Sequence, residues 1–283
     1  MNQRFVDIGL IYCAAVWGAT FYMVKDALRG VDAAALVAYR FLLSAALLLP
    51  WILRKKNKFA HWRQAAVLAG LLAALYISQT IGLQYTSASN SGFITGLFVL
   101  FVPVFLYLFL KKPPTARQWA AVFLAAAGLW RLSGGAAGFN LGDAWTLISA
   151  LAYAGHLLAT DKYVKAGGDV ILLAFHQFWM TGLCALALSA LSGRPLAVTS
   201  AQAAWVIVFL AVVPTLSAFY IQMLAQKTAP PLKVSFIFSL EPVFAALFAW
   251  TLGGENFVPG KALGGAMIVA AMILSERDRF KRL

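Results

Sequence analysis

Residues 98–105 read FVLFVPVF, and residues 237–244 read IFSLEPVF. The two stretches align without a gap at an offset of 139, so Pro103 answers Pro242, while Val102 stands where the second stretch has Glu241. A proline inside an apolar helical run removes one backbone hydrogen bond, and a carboxylate there is costly to bury. A chain that carries this arrangement twice, once with the acid and once without, reads as a duplicated helical unit.

The duplication extends outward. Residues 10–50 match 147–187 at a constant offset of 137, pairing Gly18 with Gly155, Lys25 with Lys162, Leu36 with Leu173 and Phe41 with Phe178. Apolar runs recur near 7–27, 33–53, 64–84, 91–110, 117–133, 142–160, 171–191, 202–224, 232–252 and 259–275. Each approaches or exceeds the run of about 20 residues that crosses hydrocarbon. Of the 283 residues 62% are hydrophobic and 12% charged, with a mean hydropathy of +0.80, against roughly 25% charged in soluble domains. The composition predicts an all-α integral membrane protein of ten spans with short loops.

The net charge of +13 does not read as a nucleic-acid surface, because of where the cations fall. With the N-terminus in the cytoplasm, loops on that side collect 17 Lys and Arg, among them Arg54, Lys55, Lys56, Lys58, Arg63, Lys111, Lys112, Arg277, Arg279, Lys281 and Arg282, against five outside. Both termini are therefore expected in the cytoplasm by the positive-inside rule. The first run starts after MNQR and carries Tyr12, Trp17 and Tyr22 with no small-residue cleavage site, so it reads as a retained helix rather than a signal peptide. Cys13 and Cys184 lie within spans and read as packing residues, not a disulfide.

Two halves of five spans, 1–138 and 139–283, must cross the membrane in opposite senses, since five is odd. Such inverted repeats rock about a site near the bilayer midplane. The stretches LQYTSASNSGFITGLFVLFVPVF (83–105) and LAQKTAPPLKVSFIFSLEPVFAAL (224–247), with AAVWGATFYMVK (14–25), resemble the paired EamA-type repeats of the drug/metabolite transporter superfamily. Glu241-Pro242 followed by Gly254-Glu255 is the most specific part of this likeness. The resemblance implies ten helices in two inverted halves around a central cavity lined mainly by spans 1, 3, 4, 6, 8 and 9, and export of amino acids, related metabolites or drugs. The lone acid departs from symmetry, since no carboxylate pair can form.

Glu241 is expected to face the bundle interior, as a ligand for a cargo amine, a proton carrier or a cap for free backbone donors. Pro103 and Pro242 free the carbonyls of Val99 and Phe238 and mark spans 4 and 9 as cavity-adjacent, kinked helices. Tyr76, Gln79 and Thr80 form one stripe on span 3, with Pro214, Ser217 and Tyr220 on span 8 and Tyr153, His156 and Thr160 on span 6. Thr95 and Ser235 on spans 4 and 9, and Trp17 on span 1, complete the candidate lining. Arg40, whose repeat partner is Gln177, is expected to snorkel to an interface or pair, the functional alternatives being to gate the outer mouth or to meet a substrate carboxylate. Asn90 and Ser91 are expected to cap the fourth span. Small residues in LAAAGLW (124–130) and LGGAM (263–267) suit close contact, within the chain or in a homodimer through spans 5 and 10.

No His/Cys/Asp cluster suggests a metal, and no cofactor is expected. The leading reading is a carrier, without enzymatic activity, exporting a small polar metabolite such as an amino acid from a bacterial inner membrane. An exporter of hydrophobic cations, with Glu241 as counter-charge, is the alternative. A membrane-embedded enzyme would need a nucleophile with its base, and the titratable groups are scattered.

Overall fold

The computed structural model describes residues 3–111, 115–133 and 138–280. Lys112, Lys281 and Arg282 of the charge count lie outside the described residues. The described chain is helical, without strands. The first half comprises α1 (Gln3–Ala27), α2 (Ala33–Leu53), α3 (Trp62–Tyr85), α4 (Ala88–Gly96), α5 (Phe98–Leu110) and α6 (Ala116–Ser133). Then follow α7 (Leu141–Lys165), α8 (Val170–Leu191), α9 (Ala201–Leu210), a π-helical segment (Ala211–Ser217), α10 (Ala218–Gln226), α11 (Pro231–Phe238), α12 (Glu241–Thr251) and α13 (Pro259–Phe280). Seven helical runs are long and apolar enough to cross a membrane, and two shorter apolar helices lie within α6 and α13. The 25-residue α7 completes the predicted ten spans but falls outside that apolar set, since it carries Asp143, His156, Asp161 and Lys162.

Short polar side chains start the helices. Asp32, Asp169 and Ser200 accept backbone N–H groups at the heads of α2, α8 and α9. Asn140 and Asp143 form a capping box on α7, a reciprocal pair that satisfies two orphan donors. The cap predicted from Asn90 and Ser91 falls instead to Ser87, which accepts the Asn90 N–H at 3.1 Å. Asn90 is thus the donor within the first turn of α4, one turn later than the cap itself.

Spans 4 and 9 are both broken, but only in span 9 does the break fall beside the proline. In span 9 the break at Ser239–Leu240 immediately precedes Pro242, which sits in the first turn of α12. In span 4 the break is at Leu97, where the N–H turns back to Ile94 at 3.1 Å, and Pro103 lies well inside α5.

Successive spans run antiparallel, and the ends prove it. One end joins Lys55 to Asp169 at 2.5 Å and Lys233 to Asp7 at 2.6 Å, and His176 Nε2 donates to the Lys58 carbonyl at 2.8 Å. The other joins Thr199 N–H to Gly30 at 2.8 Å and Lys25 to Thr86 at 2.6 Å. Between them α2 packs on α8, α3 on α7 and α8, α12 on α1 and α4, and α6 on α13. Large apolar side chains face outward along the spans, including Phe5, Ile8, Phe123, Trp130 and Trp205, which a bilayer solvates and water would not.

Two glycine contacts set how closely helices approach. A Cβ on Gly18 would meet Phe244 Cβ at 2.5 Å and the Glu241 carbonyl at 2.9 Å, so only glycine lets α1 lie this close to α12. A Cβ on Gly264 would meet the Gly128 carbonyl at 2.8 Å. The small residues of spans 5 and 10 are thereby used in contact between α6 and α13 within the chain.

Candidate functional site

The broken ninth span puts Glu241 at the head of α12, in the middle of the bundle and 4% exposed. Its Oε2 accepts a hydrogen bond from the Tyr153 hydroxyl of α7 at 3.1 Å. Trp17 of α1 packs edge-on against Tyr153 and Phe238 and meets Phe219 at a ring separation of 5.3 Å, while Phe98 stacks on Tyr153 at 4.1 Å. The Trp17 indole donates to the Pro214 carbonyl at 2.7 Å, anchoring α1 on the π-helical segment.

These rings nearly fill the centre. Trp17, Thr20, Leu75, Tyr76, Gln79, Tyr153, Phe219 and Glu241 surround a void of about 10 Å³, roughly the space of one water. The bundle is closed around Glu241, and the open space lies elsewhere. At the end carrying Lys25, a cavity of about 760 Å³ is bordered by Tyr22, Lys25, Asp26, Arg29, Gln202 and Glu255 among others. Along α1 and α3 its lining begins within about two turns of the residues that line the central void.

The cavity's charges satisfy helix ends. Lys25 donates to the carbonyls of Leu83 and Thr86 at the C-terminus of α3, and Glu255 accepts from the Ala88 and Ser89 N–H groups and the Ser89 hydroxyl at the N-terminus of α4. Both signs match the helix dipole. The Gly254-Glu255 pair thereby has a physical task, with Gly254 at φ +67° turning the chain.

Arg40 departs from the snorkelling expectation. It is 2% exposed; its Nε donates to Thr215 Oγ1 at 2.6 Å, and its Nη2 to the Tyr76 hydroxyl at 3.4 Å. The guanidinium lies 4.4 Å from the centre of the Tyr76 ring and 5.4 Å from that of Phe41. Among the described residues no carboxylate pairs with it. Hydroxyls and aromatic faces hold this cation where a helix end is out of reach. Tyr76 also lines the central void with Glu241.

The structure therefore gathers Trp17, Tyr76, Gln79, Tyr153 and Glu241 around one point. Thr95 joins them through a 3.3 Å hydrogen bond from Gln79. Thr80 and Ser235 are buried. His156 is buried one turn beyond Tyr153, with Nε2 2.9 Å from Gln177 Oε1. Pro242 is buried, within 2.9 Å of where a Cβ on Gly96 would stand. Ser217 and Tyr220 are not at this centre; they border a groove with Leu48, Trp51 and Ile171, and Tyr220 is 41% exposed.

Beyond Pro214 the stripe on span 8 turns away from this centre because the π-helical segment, with its i→i+5 bonds, delays the following face by about one residue. Pro214 is buried as the reading had it, but the next inward positions are Thr215, Phe219, Gln222 and Gln226 rather than Ser217 and Tyr220. Their spacing was visible in the sequence; the extra residue in the turn was not.

Comparison with known proteins agrees with this architecture. The EamA-like transporter family model matches twice, over residues 4–134 and 140–276. An uncharacterized transporter of Archaeoglobus fulgidus is 29% identical over 97% of this chain and 86% of its own. The uncharacterized inner membrane transporter YedA of Escherichia coli is 24% identical over 92% and 86%, and an S-adenosylmethionine/S-adenosylhomocysteine transporter of Chlamydia muridarum 25% identical over 95% and 91%. A solved crystal structure superposes with a TM-score of 0.68 at 17% identity, covering 94% of each chain. With the family model spanning both halves, the chain belongs to the EamA-like transporter family.

Proposed function

We propose that this multi-pass membrane protein is a secondary transporter that exports small dipolar metabolites such as amino acids, by alternating access between two inverted repeats, 1–138 and 139–283. One observation carries the cargo reading. Arg40, hydrogen-bonded to Tyr76, and Glu241, which lines the central void with Tyr76, are buried in the same core without pairing with each other. A buried guanidinium and a buried carboxyl, neither with a partner of opposite charge, are expensive at membrane depth unless a ligand with complementary ends engages them. A molecule with a carboxylate and an ammonium fits, and the rings of Trp17 and Phe219 would hold its apolar part. The relative named for S-adenosylmethionine supports this, since that compound carries an amino-acid group.

The rocking reading is supported by the double family match and by contacts that join equivalent elements of the two halves, α2 with α8 and α6 with α13. The cavity beside Lys25 is then the outer vestibule, and the end carrying Lys55 and Asp169 faces the cytoplasm with both termini, in a bacterial inner membrane. A homodimer would use the outward faces of α6 and α13, where Trp119, Phe123 and Leu263 are exposed.

The test is efflux of radiolabelled amino acids from proteoliposomes. Loss of efflux in both Arg40→Gln and Glu241→Gln is expected. A second reading, export of hydrophobic cations, is favoured by the aromatic rings about Glu241; it predicts cation efflux that needs Glu241 and survives Arg40→Gln. Amino-acid efflux unchanged in both variants would refute the dipolar reading.

A further inference from the structure

Below the Glu241–Tyr153 pair, toward the end that carries Lys55 and Asp169, α7 and α10 face each other. Phe219 touches the His156 ring at 5.8 Å, the Gln226 amide donates to the Leu157 carbonyl at 3.0 Å, and the Gln177 amide reaches Met223 Sδ at 3.9 Å. The two helices meet through His156 and Leu157 on α7 and Phe219 and Gln226 on α10, and Thr160, Gln222 and Met223 fall beside these at helical spacing. They are buried to within a few per cent of full exclusion.

Polar atoms on this face lack partners in a way found nowhere else so densely among the described residues. His156 Nδ1, Thr160 Oγ1, both side-chain polar atoms of Gln222 and Gln226 Oε1 make no hydrogen bond. Buried polar groups are overwhelmingly paired, and unpaired ones call for an explanation. Leucine or valine would fill the same space without that cost. The row covers about 10 Å of α10 from Phe219 to Gln226, starts one turn from Tyr153, and ends where α10 ends.

We propose that this face is the cytoplasmic half of the translocation path: a binding surface for water and for the hydrogen-bonding groups of the cargo, closed in the present conformation and hydrated when the bundle opens inward. It rests on the transporter reading above but not on the identity of the cargo. The orphaned donors and acceptors then have partners in the open state, which lowers the energy of that state relative to the closed one. An entirely apolar contact between α7 and α10 would instead favour closure. Gln222 is the central residue of the path, since both its amide atoms are unpaired.

The experiment uses cargo-free membrane vesicles, so that it can fail or succeed independently of amino-acid efflux. In a background with Cys13→Ala and Cys184→Ala, Thr160→Cys is exposed to a membrane-impermeant thiol reagent from each side. Ser44→Cys serves as control, because the Ser44 hydroxyl is buried yet fully engaged, donating toward the Arg40 and Ala211 carbonyls. Labelling of Thr160→Cys from the face carrying Lys55 only, with Ser44→Cys unlabelled, is expected. Adding Gln222→Leu should slow that labelling by about tenfold, the effect of shifting an opening equilibrium by one decade, while raising the thermal midpoint. No labelling from either side, labelling from the opposite face, equal labelling of the Ser44→Cys control, or an unchanged rate with Gln222→Leu would each overturn the proposal.

Discussion

The Tyr153 hydroxyl reaches Glu241 Oε2 at 3.1 Å and joins α7 to the head of α12 across the centre of the bundle. Among the described residues it is the hydrogen bond that the Glu241 side chain receives. Both groups are buried, so the pair ties two helices of the second half together beside the small central void that they line with Trp17 and Tyr76 of the first half.

Tyr153→Phe removes that donor and keeps the ring on Phe98. Loss of about 1–3 kcal/mol is expected, read as a lowered thermal midpoint in detergent. Under the proposed transport reading efflux should fall as well, because the pair lines the central void.

Thr215→Val leaves the Arg40 Nε donor unpaired in a dry site. The expected cost is again about 1–3 kcal/mol, and Thr215→Ser, which restores the hydroxyl, should recover most of it. Arg40→Lys should not rescue function, because a single ammonium cannot reproduce the planar fork that spans Thr215 and the Tyr76 ring. Thermal midpoints of the Thr215 variants, and efflux by the lysine variant, check this.

Gly18→Ala drives a methyl into Phe244 Cβ and the α12 backbone, and overpacking of this kind costs about 1–3 kcal/mol. Gly70→Ala, on an open face of α3 with nothing within 4 Å, should instead stabilise by about 0.5–1 kcal/mol through helix propensity. Opposite shifts in midpoint are the expected result, and a loss in both would show that α3 is packed at Gly70 by something outside the chain.

At the end that carries Lys55, Asp169 caps α8 and pairs with that lysine. Partial burial pushes its carboxyl up, but the hydrogen bond from Lys55, those from the Leu172 and Ile171 amides and the Lys55 charge outweigh this and hold it below the ordinary range. A depressed carboxyl contributes stability that is present above its unfolded pKa and is lost as pH falls through its folded one. Wild-type protein should therefore lose stability on acidification below about pH 4, and Asp169→Asn should show a smaller drop over the same interval. Equal drops in the two proteins would remove Asp169 from the account.

Much was legible in one dimension. Apolar run lengths follow from the thickness of hydrocarbon, so ten helical segments could be marked from composition and spacing. Pro242 announced the break in span 9, because a missing N–H is a local property of the chain, whereas the break in span 4 lies at Leu97, away from Pro103. An acid at membrane depth had to turn inward, which placed Glu241 in the core without any knowledge of its neighbours. Tyr76, Gln79 and Tyr153 followed from helical periodicity on unbroken helices.

Where periodicity is interrupted, that logic ends. The π-helical segment at 211–217 turned Thr215, Gln222 and Gln226 inward and Tyr220 outward, and its extra residue per turn has no signature in hydropathy. Arg40 could not be assigned either, since snorkelling and burial differ only in which hydroxyls and rings the neighbouring helices present. Local covalent and solvation preferences determined what this chain must bury; helix packing alone decided which buried groups meet, because partners separated by more than a hundred residues are invisible to any local rule.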